Sequence, residues 1–251
     1  MFGLDDKTAF ITGGTAGIGL ATAQRFCRAG ARVVIVGRRG EGKEIAAQFG
    51  AHFVQADVTD EQQLLEALDG AVEEFGPIDI LFNNAGIENT GPTIEESGND
   101  EFQRLIDVDL KAPYAVLHHG ASRMRDGGSI INTSSVAGMF QLPGYSQYSA
   151  VKSAIISLTK SASLELAPRN IRVNAICPGS VWSEMLPPDH PEVDIAKVIC
   201  PLERVCETEE VAALVHFLAA DDCRYINGAA IPIDGGLTSG LGYPLLEKIL
   251  A

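Results

Sequence analysis

Paired cysteines are missing from this sequence. Its five, Cys27, Cys177, Cys200, Cys206 and Cys223, are odd in number, widely spread and without a C-x-x-C pair. That argues against a zinc ribbon or a disulfide framework and for reduced thiols. Cys177 closes a strand-like run and is expected to be buried. The histidines (His52, His118, His119, His190 and His216) have no metal-ligand spacing and read as structural or surface residues. Basic residues are in deficit, 19 against 33 acidic, for a formal charge of -14. A field of that sign repels nucleic-acid phosphates and anionic membrane surfaces, so neither is an expected partner. No apolar run approaches the ~18 residues of a membrane span, and Met1 to Asp6 lacks the charged-then-apolar build of a secretory signal. A cytoplasmic location is the expectation. Low-complexity linkers and fixed-period repeats are absent as well.

What the chain does have is alternation. Short β-branched runs at Lys7–Thr12, Arg32–Val36, His52–Ala56, Ile78–Phe82, Ser129–Asn132, Ile171–Ile176 and Ala229–Ile233 predict strands. Helical patterns lie between them, at Ile18–Ala29, Glu41–Phe49, Glu61–Phe75, a long Asp100–Met124, Gln147–Ala167 and Glu207–Ala220. Seven strands joined by crossover helices predict an α/β chain: a single-domain Rossmann fold over 1–251, with a doubly wound, mostly parallel seven-stranded sheet and helices on both faces.

In such a fold a ligand sits outside the carboxyl ends of the strands, near the point where strand order reverses. The first strand runs into Thr12-Gly13-Gly14-Thr15-Ala16-Gly17-Ile18-Gly19, where a helix begins. Glycines let the backbone turn tightly and approach a diphosphate, and amides at a helix start supply donors and a favourable dipole. The spacing G-x-x-x-G-x-G departs from the common G-x-G-x-x-G. A second cluster lies between Asn132 and Lys152, with a hydroxyl at Ser135, a phenol at Tyr148 and an ammonium at Lys152. Four apart on a helix, Tyr148 and Lys152 leave the same face with Cβ atoms roughly 5–6 Å apart. A cation so close lowers a phenol pKa from its usual ~10, so Tyr148 is expected to exchange a proton with an alcohol or carbonyl while Ser135 holds the same oxygen. Alone, such a pair is ordinary helix decoration, and its weight comes from its company.

That company is the loop Thr12 to Gly19, the run Asn83-Asn84-Ala85-Gly86, Ser135 thirteen residues before Tyr148, Tyr148-x-x-x-Lys152, Pro178-Gly179 and Asp234-Gly235-Gly236. Together, and over nearly the whole chain, they resemble the short-chain dehydrogenase/reductase family. The resemblance implies a nicotinamide dinucleotide. Gly13, Thr15, Gly17, Ile18 and Gly19 would line its diphosphate and ribose, Asp57 and Val58 its adenine, and Asn84, Ala85 and Gly86 the adenosine ribose. Lys152 would bond the nicotinamide ribose beside Tyr148; Val181 would meet the carboxamide just past Pro178 and Gly179, and Ser183 stands where the family usually has threonine. The second strand ends in Val36-Gly37-Arg38-Arg39-Gly40, without the acid that accepts a ribose 2′-hydroxyl in NAD-specific sites. Arg38 and Arg39 can fork onto a phosphate, so NADP(H) is favoured and NAD(H) possible. Ala16, where many NADP-preferring relatives carry another basic residue, weighs the other way.

The resemblance implies interconversion of a secondary alcohol and a ketone by hydride transfer, with Tyr148 as general acid/base, Ser135 polarising the oxygen and Lys152 tuning the phenol. The alternative is a catalytically silent dinucleotide-sensing or scaffold protein on the same fold. The candidate catalytic set also takes in Asp109, standing where the family commonly has an Asn whose main-chain carbonyl holds a water reaching the lysine. A carboxylate there adds negative charge near Lys152 and opposes lowering of the phenol pKa. Expected pocket walls are Ala137, Met139, Phe140, Leu142, Tyr145, Trp182, Met185, Leu186 and Glu88 to Thr90, mostly apolar. The proline-rich stretch 183–203, without periodicity, reads as a substrate lid. Arg123, Arg125 and Arg169 form a possible patch for an acidic carrier protein. The resemblance also implies a homotetramer, paired through Asp100–Met124, Gln147–Ala167 and the last strand, with the apolar tail Leu241–Ala251 packed on its own core or on a neighbouring subunit.

Overall fold

Strand β1 (Thr8–Thr12) has no exposed residue, as expected of a strand covered on both faces. Its side chains alternate, Phe10 into one apolar cluster and Ala9 and Ile11 into the other. In this computed structural model, which describes residues 2–88, 92–184 and 186–250, β1 lies inside the sheet with a strand on either side. The expected pocket walls Asn89, Thr90 and Met185 fall outside the described residues, as does Ala251 at the end of the tail.

The remaining strands are β2 (Arg32–Gly37), β3 (His52–Gln55), β4 (Ile78–Asn83), β5 (Met124–Thr133), β6 (Arg172–Pro178) and β7 (Ala230–Ile233). Their order is β3-β2-β1-β4-β5-β6-β7, and every pairing is parallel. The sheet is therefore wholly parallel where a mostly parallel one was expected. The chain winds outward from β1 to β3 and then returns to lay β4 beside β1. This reversal puts the loops after β1 and β4 side by side.

The helices are α1 (Gly17–Arg28), α2 (Gly42–Ala47), α3 (Glu61–Phe75), α4 (Asn99–Ile106), α5 (Ala112–Ala121), α6 (Ser146–Glu165), α7 (Glu192–Ile199), α8 (Thr208–Ala219) and α9 (Tyr243–Leu250). One apolar cluster joins Phe26 of α1 and Val215 and Leu218 of α8 to Ile35, Phe82 and Ile131; the other joins Leu64 and Leu68 of α3 and Val116 of α5 to Phe10, Val34 and Leu81. Each large side chain so buried contributes roughly 1.5–3 kcal/mol. Helix α3 starts where Asp60 accepts from the amides of Gln62 and Gln63, and it stops at Gly76, φ 80°.

Two expectations change here. The predicted helix Asp100–Met124 is broken: a π-helical turn, Asp107–Lys111, separates α4 from α5, and Met124 already belongs to β5. Pro113 has no N–H to return to the carbonyl of residue 109, which accounts for a widened turn at this point. The stretch 183–203 is not wholly irregular either, since it contains α7 between Pro191 and Cys200. Among the described residues no helix is long and apolar enough to cross a membrane.

Candidate active site

The loop from β1 into α1 is shaped by contacts only glycine permits. Gly13 (φ 66°) and Gly17 (φ 52°) occupy left-handed backbone. A Cβ on Gly13 would lie 2.9 Å from the Ala85 Cα, and one on Gly19 only 2.2 Å from the Gly13 carbonyl oxygen. The loop after β4 is bonded to it: Thr12 Oγ1 accepts from the amides of Asn84 and Ala85 at 2.9 and 3.0 Å, and Asn84 Nδ2 donates to the carbonyls of Thr12 and Gly13. Asn84 and Ala85 thus stand against the glycine loop, while Gly86 faces Asp109 and Lys152. Ala16 caps α1 without a side-chain hydrogen bond, so no side chain there takes up the first-turn amides. Gly17 faces Ser183 across the cleft, its virtual Cβ 3.8 Å from the Ser183 Cβ. Ile18 packs against the core on the α1 side, and Thr15 is buried against Gly37 at the end of β2. A glycine-bound cradle with uncapped amides fits a diphosphate.

Beyond the ends of β2 and β3 the polar side chains pair among themselves. Asp57 Oδ1 accepts from the amide and hydroxyl of Thr59 at 2.9 and 2.8 Å, which makes its carboxylate a local cap before it is a ligand. Arg38 stands 4.0 Å from Asp57. Arg39 pairs with Glu41 and with Glu184 at 3.2 Å. Val58 packs at the edge of the α3 core, so its side chain serves the fold. At the far end, Pro178 closes β6, and Gly179 N–H donates to the Ile233 carbonyl at 3.0 Å. The Asp234 carboxylate accepts from the amides of Gly236 and Thr238, building the adjoining turn. Val181 is buried and bridges to Cys206, and Ser183 Oγ accepts from the Leu186 amide.

Ser135 immediately precedes a short 3-10 turn after β5, where its Oγ accepts from the Ala137 amide at 3.1 Å and lies near enough to the Tyr148 phenol to act on its ionisation. Tyr148 and Lys152 lie on successive turns of α6, the Lys152 Nζ 5.4 Å from the Tyr148 ring centre. The three side chains converge as the spacing implied. Lys152 Nζ is also 3.0 Å from Asp109 Oδ2 and 3.5 Å from the Thr133 carbonyl. The Asp109 contact lies off the hydrogen-bond axis, so charge holds it more than hydrogen bonding does. Asp109 Oδ1 accepts from the Ile87 amide at 2.8 Å, fixing the loop that follows Gly86.

The protonation balance reverses the expectation of a lowered phenol. Burial pushes Tyr148 up to about 12; Glu88 and Asp109 push the same way, and Lys152 and the Ser135 hydroxyl oppose them without prevailing. For Lys152 burial acts downward, yet Tyr148, Asp109 and Glu88 outweigh it and raise its pKa. Glu88 keeps solvent contact at the mouth of the cleft while protein crowds its inner side. Burial first, then Glu192 and Asp109, push it up to about 7 against Lys152.

Two residues went unnoticed in the sequence. Glu192, at the start of α7, accepts from Ser180 Oγ at 2.8 Å and from Tyr145 Oη at 3.2 Å, tying α7 to the site. Glu184 holds Arg39. Neither belongs to a motif, and only folding brings them near. Trp182 packs on Leu186, Val193 and Ala196, whereas Met139 and Phe140 are exposed. Arg123, Arg125 and Arg169 are bound to Asp69, Asp79 and Asp126 at 2.6, 3.0 and 2.8 Å, so the expected basic patch is spent on internal pairs. All five cysteines are free, and among the described residues no His, Cys, Asp or Glu group is placed to hold a metal.

Sheet order, glycine loop and reversal point define a Rossmann-type dinucleotide fold. The family model described as enoyl-(acyl carrier protein) reductase matches residues 13–238. Trans-4-hydroxycyclohexanecarboxylate dehydrogenase of Sinomonas cyclohexanicum is 37% identical, covering 94% of this chain and 94% of its own. The 3-alpha-(or 20-beta)-hydroxysteroid dehydrogenase of Mycobacterium bovis is 39% identical over 94% of this chain and 91% of its own. A short chain dehydrogenase from Burkholderia cenocepacia, solved in complex with NADP, superposes with a TM-score of 0.89 at 33% identity, covering 94% of this chain and 99% of that one. The chain belongs to the short-chain dehydrogenase/reductase family, an oxidoreductase family that binds NAD(P).

Proposed function

We propose that this chain is an NAD(P)(H)-dependent oxidoreductase that interconverts a secondary alcohol and a ketone, with Tyr148 as the general acid/base. The observation that supports this reading is the convergence of Ser135, Tyr148 and Lys152 beside the glycine loop. When bound, the nicotinamide dinucleotide supplies or accepts the hydride. The residues of the chain do the rest. Gly13, Thr15, Gly17, Ile18 and Gly19 hold the diphosphate end, Asn84, Ala85 and Gly86 the adenosine ribose, and Pro178, Gly179, Val181 and Ser183 the nicotinamide end; Asp57 and Val58 contribute main chain near the adenine. Lys152 bonds the nicotinamide ribose. Ser135 holds the substrate oxygen, and the Tyr148 hydroxyl gives it a proton in reduction or takes one in oxidation.

Arg38 and Arg39 favour NADP(H), as they leave strand β2 without an acid to repel a 2′-phosphate. Two of the relatives are named for ring alcohols, which puts cyclic secondary alcohols and ketones first among substrates. A carrier-bound acyl group is disfavoured because Arg123, Arg125 and Arg169 are already paired with aspartates. The segment 183–203, tied to the site through Glu192 and Glu184, acts as the lid.

Nicotinamide absorbance, followed with NADPH or NADH and a panel of ring, aliphatic, aryl and acyl-thioester ketones, tests the reading. Turnover of one class is expected, faster with NADPH. Tyr148→Phe should lower kcat by roughly 10²–10⁴-fold, as loss of a general acid does, while dinucleotide affinity stays near wild type. Equal turnover by wild type and Tyr148→Phe would remove Tyr148 from the chemistry. Dinucleotide binding without turnover in either direction would favour a sensing or scaffold role.

A further inference from the structure

Asp109 is fully buried and stands 3.0 Å from Lys152 Nζ, itself almost wholly buried. Its main structural bond needs no charge, since Oδ1 accepts from the Ile87 amide at 2.8 Å and an amide oxygen would accept as well. The Ile87 bond therefore does not use the negative charge, which is left to compensate the buried ammonium. Resting on the reading of Tyr148 as the acid/base, we propose that Asp109 is a positioning residue that neutralises Lys152 and so keeps Tyr148 a phenol through neutral pH. The site is then poised to donate a proton to a carbonyl, and it accepts one from an alcohol only in alkaline solution.

The charges that face the phenol come from three elements. Helix α6 brings the one cation, Lys152; the π-turn brings Asp109, and the loop after β4 brings Glu88. From α7, Glu192 faces Glu88. From the loop after β5 comes only the neutral hydroxyl of Ser135, and from β6 Cys177 faces Lys152, with its thiol pushed up to about 11 by burial and so uncharged. One ammonium thus answers to two carboxylates around Tyr148, with a third behind them. With burial added, this is the balance that holds Tyr148 up at about 12. Within the same π-turn, Asp107 points outward and pairs with Lys111 at 2.8 Å, far less buried than Asp109. Removing the Asp109 charge would leave only Glu88 to answer the ammonium beside the phenol, and a less compensated cation favours phenolate.

A tyrosinate absorbance titration reads this without any substrate. The signal that belongs to Tyr148 is the difference between the chain with Tyr148 and the chain carrying Tyr148→Phe, taken once with Asp109 in place and once with Asp109→Asn. Wild type should show no Tyr148 phenolate below about pH 9, and Asp109→Asn should bring its midpoint down by at least one pH unit, about tenfold in ionisation constant. Asp107→Asn, on the same turn, should leave the midpoint in place. Phenolate in wild type at neutral pH would overturn the proposal, as would an Asp109→Asn midpoint at or above that of wild type. So would an equal downward shift in Asp107→Asn, which would mark a disturbed turn in place of a removed charge. Should Asp109→Asn fail to fold, the wild-type titration still decides on the first count. Absence of turnover with every ketone would count against the proposed function alone, because the titration needs none. Where a ketone is turned over, the alkaline limb of alcohol oxidation should move down with the phenol midpoint, and an unmoved limb would also overturn the proposal.

Discussion

A methyl group has no room at Gly19, and that shortage of space is what the glycine loop is made of. A Cβ there would sit 2.2 Å from the Gly13 carbonyl oxygen and 2.7 Å from Asn84 Nδ2, so the loops after β1 and β4 would have to part. Overpacking of this kind costs about 1–3 kcal/mol, which in a chain of this size lowers Tm by roughly 2–10 °C. Gly19→Ala should therefore melt earlier and lose dinucleotide affinity at least tenfold, read by calorimetry and by fluorescence titration with NADPH. Wild-type values in both would mean that the two loops do not meet as described. Gly70, in the middle of α3, is the opposite case: a Cβ there meets nothing within 4 Å. Gly70→Ala should stabilise the chain by about 0.5–1 kcal/mol through reduced backbone entropy of the unfolded state, visible as a modest rise in Tm.

At the scale of elements, the strands were legible because a strand buried on both faces is a nearly continuous apolar run, as in Val33 to Val36, and every observed strand overlaps its expected range. The order of motifs along those strands carried the glycine loop and the Ser135, Tyr148, Lys152 cluster to one end of the sheet. Elements set by tertiary contact were not legible. Helix α7 is eight residues between Pro191 and Cys200, with only Val193 and Ala196 buried, too few positions to show a period. The π-turn left one signal, Pro113, which marks a break without saying that Asp109 turns inward. The direction of the Tyr148 shift was hidden too, since burial and the approach of Glu88 exist only in the folded chain. Arg39 joins the end of β2 to the stretch before α7 through Glu184, and under the proposed function a 2′-phosphate competes for that guanidinium. A charge-assisted hydrogen bond is worth about 1.5–3 kcal/mol, so Arg39→Ala should raise KM for NADPH roughly ten- to a hundredfold and leave KM for NADH nearly unchanged. Glu184→Gln should lower KM for NADPH by freeing Arg39. An equal effect of Arg39→Ala on both cofactors would take the phosphate away from Arg39.

Across the whole molecule, the apolar surface at the carboxyl-terminal end asks for cover. Helix α9 buries none of its residues, and Leu241, Tyr243, Ile249 and Leu250 are 67, 81, 65 and 84% exposed. The tail therefore packs only in part on its own chain, along α7 with Leu245 and Leu246 half-buried, and we propose that a neighbouring copy covers its exposed face. A groove of about 790 Å³ along α4 and α5, with Tyr114 exposed on its wall and stacked on His118, offers a second face for pairing. Light scattering on the eluting protein should give four times the chain mass of 26.6 kDa. Each copy also brings a formal charge of -14, so assembly must overcome repulsion that reaches roughly 30 Å at 0.01 M salt and only about 8 Å at 0.15 M. The tetramer should accordingly loosen on dilution at low salt and tighten as salt rises, while Tyr243→Lys with Leu250→Lys should shift it to smaller species at every salt concentration. A wild-type chain that elutes as a monomer throughout would rule out the tetramer, and a double variant with unchanged mass would move the contact away from α9.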